Sequence, residues 1–575
     1  MSHVKQLPYG ISDFETVMQD GLYYVDKTMY IPLLEDQPRN LMFIRPRRFG
    51  KSLLLSMLKT YYDKAKKDKF EELFGSLWIG QHPTPLMGRY EVMHLDFSQI
   101  GGTIDELPRR FDDFLARKLN AFVRKYASDY PDYFIKEFFE ATSGNDKLTM
   151  ITTTANDLRI PMYLIIDEYD NFTNVVLSEK GEEVYHQMTH AEGFYRDVFK
   201  KFKGTFERIF FTGVSPVTLD DLTSGFNIGW NITTKRAFDK MLGFSTEDVR
   251  EMFAYYKDAG SLSADCDIEA MIADMKPWYD NYCFAKECLE EPNRVFNSDM
   301  VLYYLRSYIE DGHAPEVMLA PNTKTDYNKL KKLIQLDRLD GDRKGILRQI
   351  AEEGEIVSEI VPSFPASALV KPEMFISLLF YYGMLTIKGT YGPQYVLGIP
   401  NNNVRMQYYN FLMENYAPVC GIDTKNLVTM FTSMAVGGNW RDALQYLCDC
   451  YKQLSSVRDS IEGERNIQGF FMAYLSLCSY YITAPELELS HGFCDFFLLP
   501  NMTHYQAGHS YIIELKYLSK ADYSEEKARR QWREAVEQTS HYEAAPRVEA
   551  LRQGTQLHKI IIQFCGWEVI RMEEV

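Results

Sequence analysis

Four short apolar runs, Leu41–Ile44, Val92–Asp96, Tyr163–Asp167 and Ile209–Gly213, are separated by stretches with helical spacing, among them Leu53–Lys64 and Glu106–Tyr126. Runs this short and apolar read as strands buried on both faces, and the helices between them supply the crossovers that parallel strands need. The alternation restricts the first part of the chain to a parallel α/β sheet. It fades near Gly243. From about 245 to 455 the spacing is mostly helical, broken by Gly383–Lys388, Gly389 and Tyr395–Leu397, which read as a small β-wing. The end returns to mixed structure: a helix from about 464 to 479, strands near 494–499 and 510–516, a helix at 525–542 and a strand at 558–566.

At 575 residues the chain exceeds one core. The pattern divides it at 1–244, 245–455 and 456–575. A composition of 46% apolar and 25% charged residues is that of a globular protein. No apolar run is long enough for a membrane span, and Met1–Lys5 holds no apolar signal core. Nine scattered cysteines with no CxxC pair suggest reduced thiols in the cytoplasm and no zinc site. A net charge of −17 argues against a protein that coats nucleic acid, though not against an enzyme with a local basic groove.

The first strand runs into "RPRRFGKSLLL", residues 45 to 55. A phosphate loop is usually GxxxxGK[ST] between a buried strand and a helix. Backbone N–H groups and a helix N-terminus cradle phosphate, a lysine reaches the β/γ-phosphates, and a hydroxyl binds magnesium. Gly50, Lys51 and Ser52 have that context, but Arg45 stands in place of the first glycine, so the bend must differ. Arg47 and Arg48 either contact phosphate or face solvent. The expected nucleotide-binding set is Arg47, Arg48, Phe49, Gly50, Lys51, Ser52 and Leu53, with Asp167 and Thr212.

The apolar strand in "MYLIIDEYD" (162 to 170) ends in adjacent carboxylates. In the corresponding Walker-type ATPases the first, here Asp167, holds magnesium, and the second, here Glu168, polarises the attacking water. Ser52 and Asp167 are thus the expected ligands of Mg²⁺, and Lys51 and Glu168 the catalytic residues. Thr212 and Ser215, at the end of "RIFFTGVSP", either sense the γ-phosphate or cap their strand. ATP fits better than GTP: the sole [NT]KxD match, Thr323–Asp326, follows no buried strand.

A second constellation lies in "GFCDFFLLP" (492 to 500) and "SYIIELKYL" (510 to 518). Glu514 and Lys516 alternate on one strand and share a face. A hairpin would bring Asp495 beside Glu514. Two carboxylates and a lysine can hold Mg²⁺ or Mn²⁺ and activate water for attack on a phosphodiester. The expected catalytic set is Asp495, Glu514 and Lys516, the first two as metal ligands. Glu464, Glu486 or Glu488 could complete the shell. Gln538 and Tyr542 share a helix face, where Gln538 could touch nucleic acid or buttress the site.

These segments, with "LPYGISDFE" (7 to 15), "YYVDKT" (23 to 28), "FTGVSPVTLDDLTSGFNIG" (211 to 229), "WYDNYCF" (278 to 284) and "LLFYYGMLTI" (378 to 387), make the chain resemble the bacterial AAA-ATPase-like proteins with a C-terminal PD-(D/E)XK nuclease-like domain. The resemblance covers nearly the whole chain, and RPRRFGKS is typical of that family. It implies nucleotide binding by Gly50, Lys51 and Ser52, catalysis through Asp167 and Glu168, and nuclease-type roles for Asp495, Glu514 and Lys516. It implies a P-loop NTPase sheet, a helical middle with a winged-helix-like unit, and an α/β restriction-endonuclease-like domain. Two residues depart from the family pattern. Phe493 stands where the family often has arginine, which leaves the metal ligands intact, and Asn281 stands where it tends to have glycine, a turn position asparagine tolerates.

Other features point elsewhere. His186 and His190 have zinc-ligand spacing without the HExxH glutamate, and a surface or packing role is favoured. Trp278, Tyr279 and Tyr282 read as an aromatic core, and Phe380, Tyr381 and Tyr382 as packing of the winged-helix-like unit. Arg236 and Arg294 are both candidates for an arginine finger. The expected protein is a cytoplasmic ATPase fused to a nuclease acting on DNA or RNA, with no membrane partner and compatible with a homo-oligomer. The rival is an ATP-dependent signalling or scaffold switch whose nuclease fold is inactive and serves as a binding module. A dinucleotide-binding oxidoreductase is excluded by the lack of a GxGxxG after a strand.

Overall fold

The computed structural model describes residues 4–101, 106–171, 194–218, 229–290, 294–315, 318, 343–365, 368, 371–456, 464–489, 492–502, 505–543 and 546–575. The chain forms two compact units: 1–312 with 319–346 and 356–402, and 403–575 with 313–318 and 347–355. Among the described residues no helix is long and apolar enough to cross a membrane.

In the first unit, β1 (Asn40–Ile44), β2 (Glu91–Asp96), β3 (Met162–Asp167), β4 (Arg208–Gly213) and β5 (Trp230–Asn231) form a parallel sheet in the order β2-β3-β4-β1-β5. All six residues of β3 are buried, as expected of a central strand covered on both faces. Helix α1 (Lys51–Tyr62) buries Leu54, Leu55, Met57 and Leu58. It stops short of the expected Lys64 because Asp63 turns extended and its carboxylate accepts Ala65 N, starting a new turn. Helix α2 (Leu107–Lys125) buries Leu107, Phe111, Phe114, Leu115, Leu119 and Phe122, a stripe at helical spacing.

Beyond the sheet lie α3 (Thr246–Asp258), begun by a Ser245/Asp248 capping box, α4 (Ile268–Tyr279) and α5 (Ser298–Asp311), capped by Asn297 and closed at Gly312. Strand β6 (Glu355–Ser358), helix α6 (Pro372–Tyr381), and the hairpin β7 (Thr386–Tyr391) and β8 (Gln394–Gly398) complete the winged-helix-like part, with sheet order β6-β8-β7. The turn after α6 approaches the loop that follows β1. Gly383 has φ +75°, and a Cβ there would stand 2.7 Å from Pro46 Cγ.

The second unit is a mixed sheet in the order β9-β10-β11-β12-β13: β9 (Tyr481–Leu489), β10 (Gly492–Pro500), β11 (His509–Leu518), β12 (Gln556–Cys565) and β13 (Glu568–Glu574). Only β11 and β12 pair in parallel. Their crossover contains the helix Glu525–Glu543, as a parallel connection requires. Helices α7 (Thr424–Gly437) and α8 (Trp440–Gln453) pack on this sheet. Tyr511 Oη donates to Met434 O at 2.6 Å, and Trp440 Nε1 to Glu574 at 2.9 Å. These contacts tie both helices to the strands that follow, and the unit that holds them includes residues 403–575.

Gly383→Ala should cost on the order of 2–4 kcal/mol, from a strained left-handed residue and an overpacked contact. A lowered apparent Tm in thermal unfolding is expected. An unchanged Tm would mean the Pro46 contact yields freely.

Candidate functional site

The residues after β1 open a cavity of about 670 Å³. Arg47, Arg48, Phe49, Gly50, Lys51, Ser52, Leu53, Asp167 and Glu168 all line it. So do parts of segments 8–12 and 23–27, with Asn171, Leu242, Ser298 and Asp299, which sequence reasoning did not assign to the site. The matching of 8–12 and 23–27 to family segments was the available signal. Thr212 stands apart. It is buried on β4 and its hydroxyl donates to Phe43 O at 2.6 Å, tying β4 to β1 outside the cavity lining. Ser215 Oγ accepts Val217 N at 3.1 Å, an ordinary turn bond.

Arg45 does not face the cavity. It is 1% exposed, and its guanidinium donates to Ile44 O, Thr233 O, Phe238 O and Asp239 O at 2.8–3.4 Å. It lies between the Phe43 and Phe284 rings, 4.4 and 4.1 Å from their centroids. Burial lowers its pKa to about 10, against the Asp239 charge that favours the cation. The bend expected of a first glycine occurs later, at Arg48 (φ 66°) and Gly50 (φ 93°). Phe49 is fixed by an edge contact with Tyr282 at 5.0 Å, and its carbonyl accepts Gly243 N at 3.1 Å. Of the expected aromatic core, Tyr279 and Tyr282 are buried and Trp278 is only half-buried, and Asn281 adopts φ 77°.

Lys51 is buried at the start of α1 and donates to Arg45 O at 2.9 Å and Pro46 O at 2.8 Å. Burial pulls its pKa down to about 8, opposed chiefly by Asp167 and then Asp170 and Glu168. Ser52 Oγ donates to Asp167 Oδ2 at 2.7 Å, so the helix start and the end of β3 meet. Burial raises the Asp167 pKa, while Ser52 and Lys51 oppose the rise. Glu168 has φ 49°, and its N–H donates to Asp167 Oδ1 at 2.9 Å. Arg48 and Glu168 are thus two non-glycine residues in the left-handed region at one cavity, the clustering typical of functional sites. A hydroxyl and a carboxylate in contact fit the donor set of a hard divalent cation.

Arg236 borders a separate cavity of about 390 Å³ with Asp239 and Tyr30. Arg294 donates to Cys288 O and Leu289 O at 2.8 and 2.6 Å. Neither lines the larger cavity. His186, His190 and Thr323–Asp326 lie outside the described residues.

In the second unit β10 and β11 pair antiparallel, with Phe496 opposite Ile513, which sets Asp495 beside Glu514 as the expected hairpin requires. Asp495 N donates to Glu514 Oε2 at 3.4 Å, and Leu515 N donates to Asp495 Oδ2 at 2.6 Å. Lys516 Nζ lies 2.7 Å from Glu514 Oε1 and 3.5 Å from Gln538 Oε1, so Gln538 buttresses the lysine. Burial, then the Asp495 charge, pushes the Glu514 pKa up to about 7. Burial alone would lower Lys516, but Glu514 raises it.

Gln468, on α9 (Glu464–Leu475), the helix before β9, donates to Asp495 Oδ1 at 2.8 Å. Sequence reasoning missed it, although it lies one helical turn after Glu464 and shares its face. Desolvation and the Asp495 charge raise Glu464. The side chains of Glu486, Glu488, Phe493 and Tyr542 lie outside the described residues. Among the described residues no three His, Cys, Asp or Glu side chains are grouped to hold a metal. Asp495 and Glu514 supply two carboxylates, the donor set Mg²⁺ uses when water and substrate phosphate complete its shell.

Residues 8–223 match the family described as "Predicted AAA-ATPase", and residues 462–574 match the PD-(D/E)XK nuclease superfamily. An "uncharacterized protein in vnfD 5′ region" from Azotobacter chroococcum mcd 1 is 24% identical over 301 residues, 50% of this chain and 50% of that protein. The chain therefore spans about half the length of this curated relative. The solved structure of the Aeropyrum pernix ORC2 protein (ADPNP–ADP complexes) aligns over 72% of this chain and 97% of its own, at 12% identity and a TM-score of 0.29. The chain thus joins a region similar to the AAA-ATPase-like family, residues 8–223, to a region similar to the PD-(D/E)XK nuclease superfamily, residues 462–574.

Proposed function

We propose that the protein binds and hydrolyses Mg-ATP in its first unit and cleaves DNA or RNA phosphodiesters in its second. One observation carries the ATPase half: Ser52, at the start of α1, and Asp167, at the end of β3, meet at 2.7 Å in the cavity that Lys51 also lines. The nuclease half rests on the Asp495–Glu514–Lys516 chain of contacts.

Divalent ions, held by Ser52 and Asp167 in one unit and by Asp495 and Glu514 in the other, would supply Lewis acidity and a more acidic water. The backbone N–H groups of the loop and the start of α1 face phosphate. Lys51 leaves the carbonyls of Arg45 and Pro46 to pair with the β/γ-phosphates. Glu168 accepts a proton from the attacking water. At the other centre Lys516, held by Glu514 and Gln538, orients water and scissile phosphate, and Gln468 fixes the rotamer of Asp495.

A pKa of about 8 means that Lys51 is disfavoured as a cation in the free fold. The stability this group contributes is full above its ordinary value and is lost as pH falls toward 8. A bound polyphosphate restores the cation, so binding should take up a proton: about one near pH 9 and about a tenth near pH 7. Calorimetry of ATP binding in buffers of different ionisation enthalpy measures this. Equal uptake by Lys51→Ala would assign the proton elsewhere.

Lys51→Ala should lower kcat/KM for ATP at least about 100-fold, and Glu168→Gln should lower kcat with binding retained. Glu514→Ala should lower nuclease activity more than about 100-fold, and Gln468→Ala should weaken Mn²⁺ binding about 10- to 100-fold. Assays on single- and double-stranded DNA and RNA, with Mg²⁺ or Mn²⁺ and with or without ATP, test both halves. Cleavage that survives Glu514→Ala would reject the proposed nuclease centre, and hydrolysis that survives Lys51→Ala would reject the ATP site.

A further inference from the structure

We propose that Asp299, at the start of α5, is a built-in competitor of nucleotide phosphate: it holds Arg48 and lowers the cavity's affinity for ATP, while its neighbour Ser298 supports the loop. This deepens the nucleotide reading above and rests on it.

Arg48 occupies a left-handed conformation that an L-residue keeps only when its surroundings hold it. The start of α5 does so. Ser298 Oγ donates to Arg48 O at 3.0 Å, and Asp299 N donates to the same oxygen at 3.3 Å. Ser298 Oγ also lies 3.9 Å from where a Cβ on Gly50 would stand, so this helix end sits over the loop. These backbone contacts are independent of the Asp299 charge.

The side chains form a second relation. Arg48 Nε lies 4.0 Å from Asp299 Oδ2, with side-chain exposures of 19% and 24%. Both residues line the cavity, and so do Asp167 and Glu168. Those two carboxylates have work in the proposed reaction, but Asp299 has none. A fixed negative charge beside the phosphate subsite repels a polyanion and engages a cation the polyanion needs. Around the pair stand Tyr9, Tyr303 and Arg306. Burial and then the Asp299 charge raise the Tyr9 pKa while Arg48 and Arg306 lower it, and Arg306 lies 5.6 Å from the Tyr9 ring centroid. The charge of Asp299 therefore reaches the 8–12 segment that forms another wall of the cavity.

The two adjacent residues should then act with opposite signs. Ser298→Ala removes a bond to the loop and should weaken nucleotide binding. Asp299→Asn keeps size and the backbone N–H but removes the charge. It should tighten binding about 3- to 10-fold at low ionic strength, an advantage that shrinks with added salt.

The test is calorimetric titration of the full chain with Mg²⁺ and β,γ-imido-ATP, using wild type, Ser298→Ala, Asp299→Asn, Arg48→Ala and the Arg48→Ala/Asp299→Asn pair. The expected result is tightening by Asp299→Asn that largely disappears in the Arg48→Ala background. Unchanged or weaker binding by Asp299→Asn, with an unaltered Tm, overturns the proposal, as does tightening of equal size without Arg48. Should Asp299→Asn fold poorly, Asp299→Ser, which keeps a helix-starting residue, carries the same expectation. Wild-type protein that binds no nucleotide overturns the nucleotide reading itself. Wild-type binding without the Asp299 effect overturns only this inference.

Discussion

A buried guanidinium organises the phosphate end of the first unit. Arg45 leaves the sheet where β1 ends and donates to carbonyls at Ile44, Thr233, Phe238 and Asp239, between two phenyl rings. Burying such a cation is costly unless its donors are satisfied; the two terminal nitrogens are, while Nε is left unbonded, so the contacts act as a set and not as independent bonds. The result is a loop anchored from behind. Its own carbonyl is then free to receive Lys51, and its turn is displaced to Arg48 and Gly50, where the cavity begins. Substituting arginine for the usual glycine thus changes the manner of support as well as the bend.

Both centres carry ionisable groups away from their ordinary pKa values for the same reason. Lys51 is lowered, and Asp167 and Glu514 are raised, with desolvation as the leading cause in each case. Each is meanwhile bonded within the protein: Lys51 to loop carbonyls, Asp167 to Ser52, Glu514 to Lys516. Such groups are held in place before any ligand arrives, which limits the reorganisation that binding needs. Their compensating charge is incomplete, so a ligand of the right sign gains by completing it.

The sheet of the first unit was legible because four apolar runs are too short for helices and are flanked by helical spacing. Each strand begins one residue before its run, at Asn40, Glu91, Met162 and Arg208, where backbone pairing extends past the apolar stretch. The Asp495–Glu514 meeting was legible for a related reason: two nearby runs with an alternating pattern favour a hairpin, and a hairpin fixes which residues face each other. The wall supplied by Ser298 and Asp299 was not legible. It comes from a segment far along the chain, and neither helix caps nor charge spacing encode which distant loop a helix end will cover. Arg45 was hidden for a second reason. In the sequence it marks only a missing glycine and an altered bend, and the positions of remote carbonyls are what reveal it as a buried strut. Thr212 illustrates the same limit, since its hydroxyl is used by the neighbouring strand.

The placement of β4 between β1 and β3 also sets a dimension. The helix that begins with Lys51 follows β1, and Asp167 and Glu168 end β3, so the two halves of the cavity floor are two strand spacings apart, roughly 9–10 Å. Backbone hydrogen bonds define that width, and side-chain volume hardly alters it. The intervening strand behaves as a gauge block between two jaws. Drift in the surrounding loops can retune what enters the jaws, but the span between them is as invariant as the sheet itself.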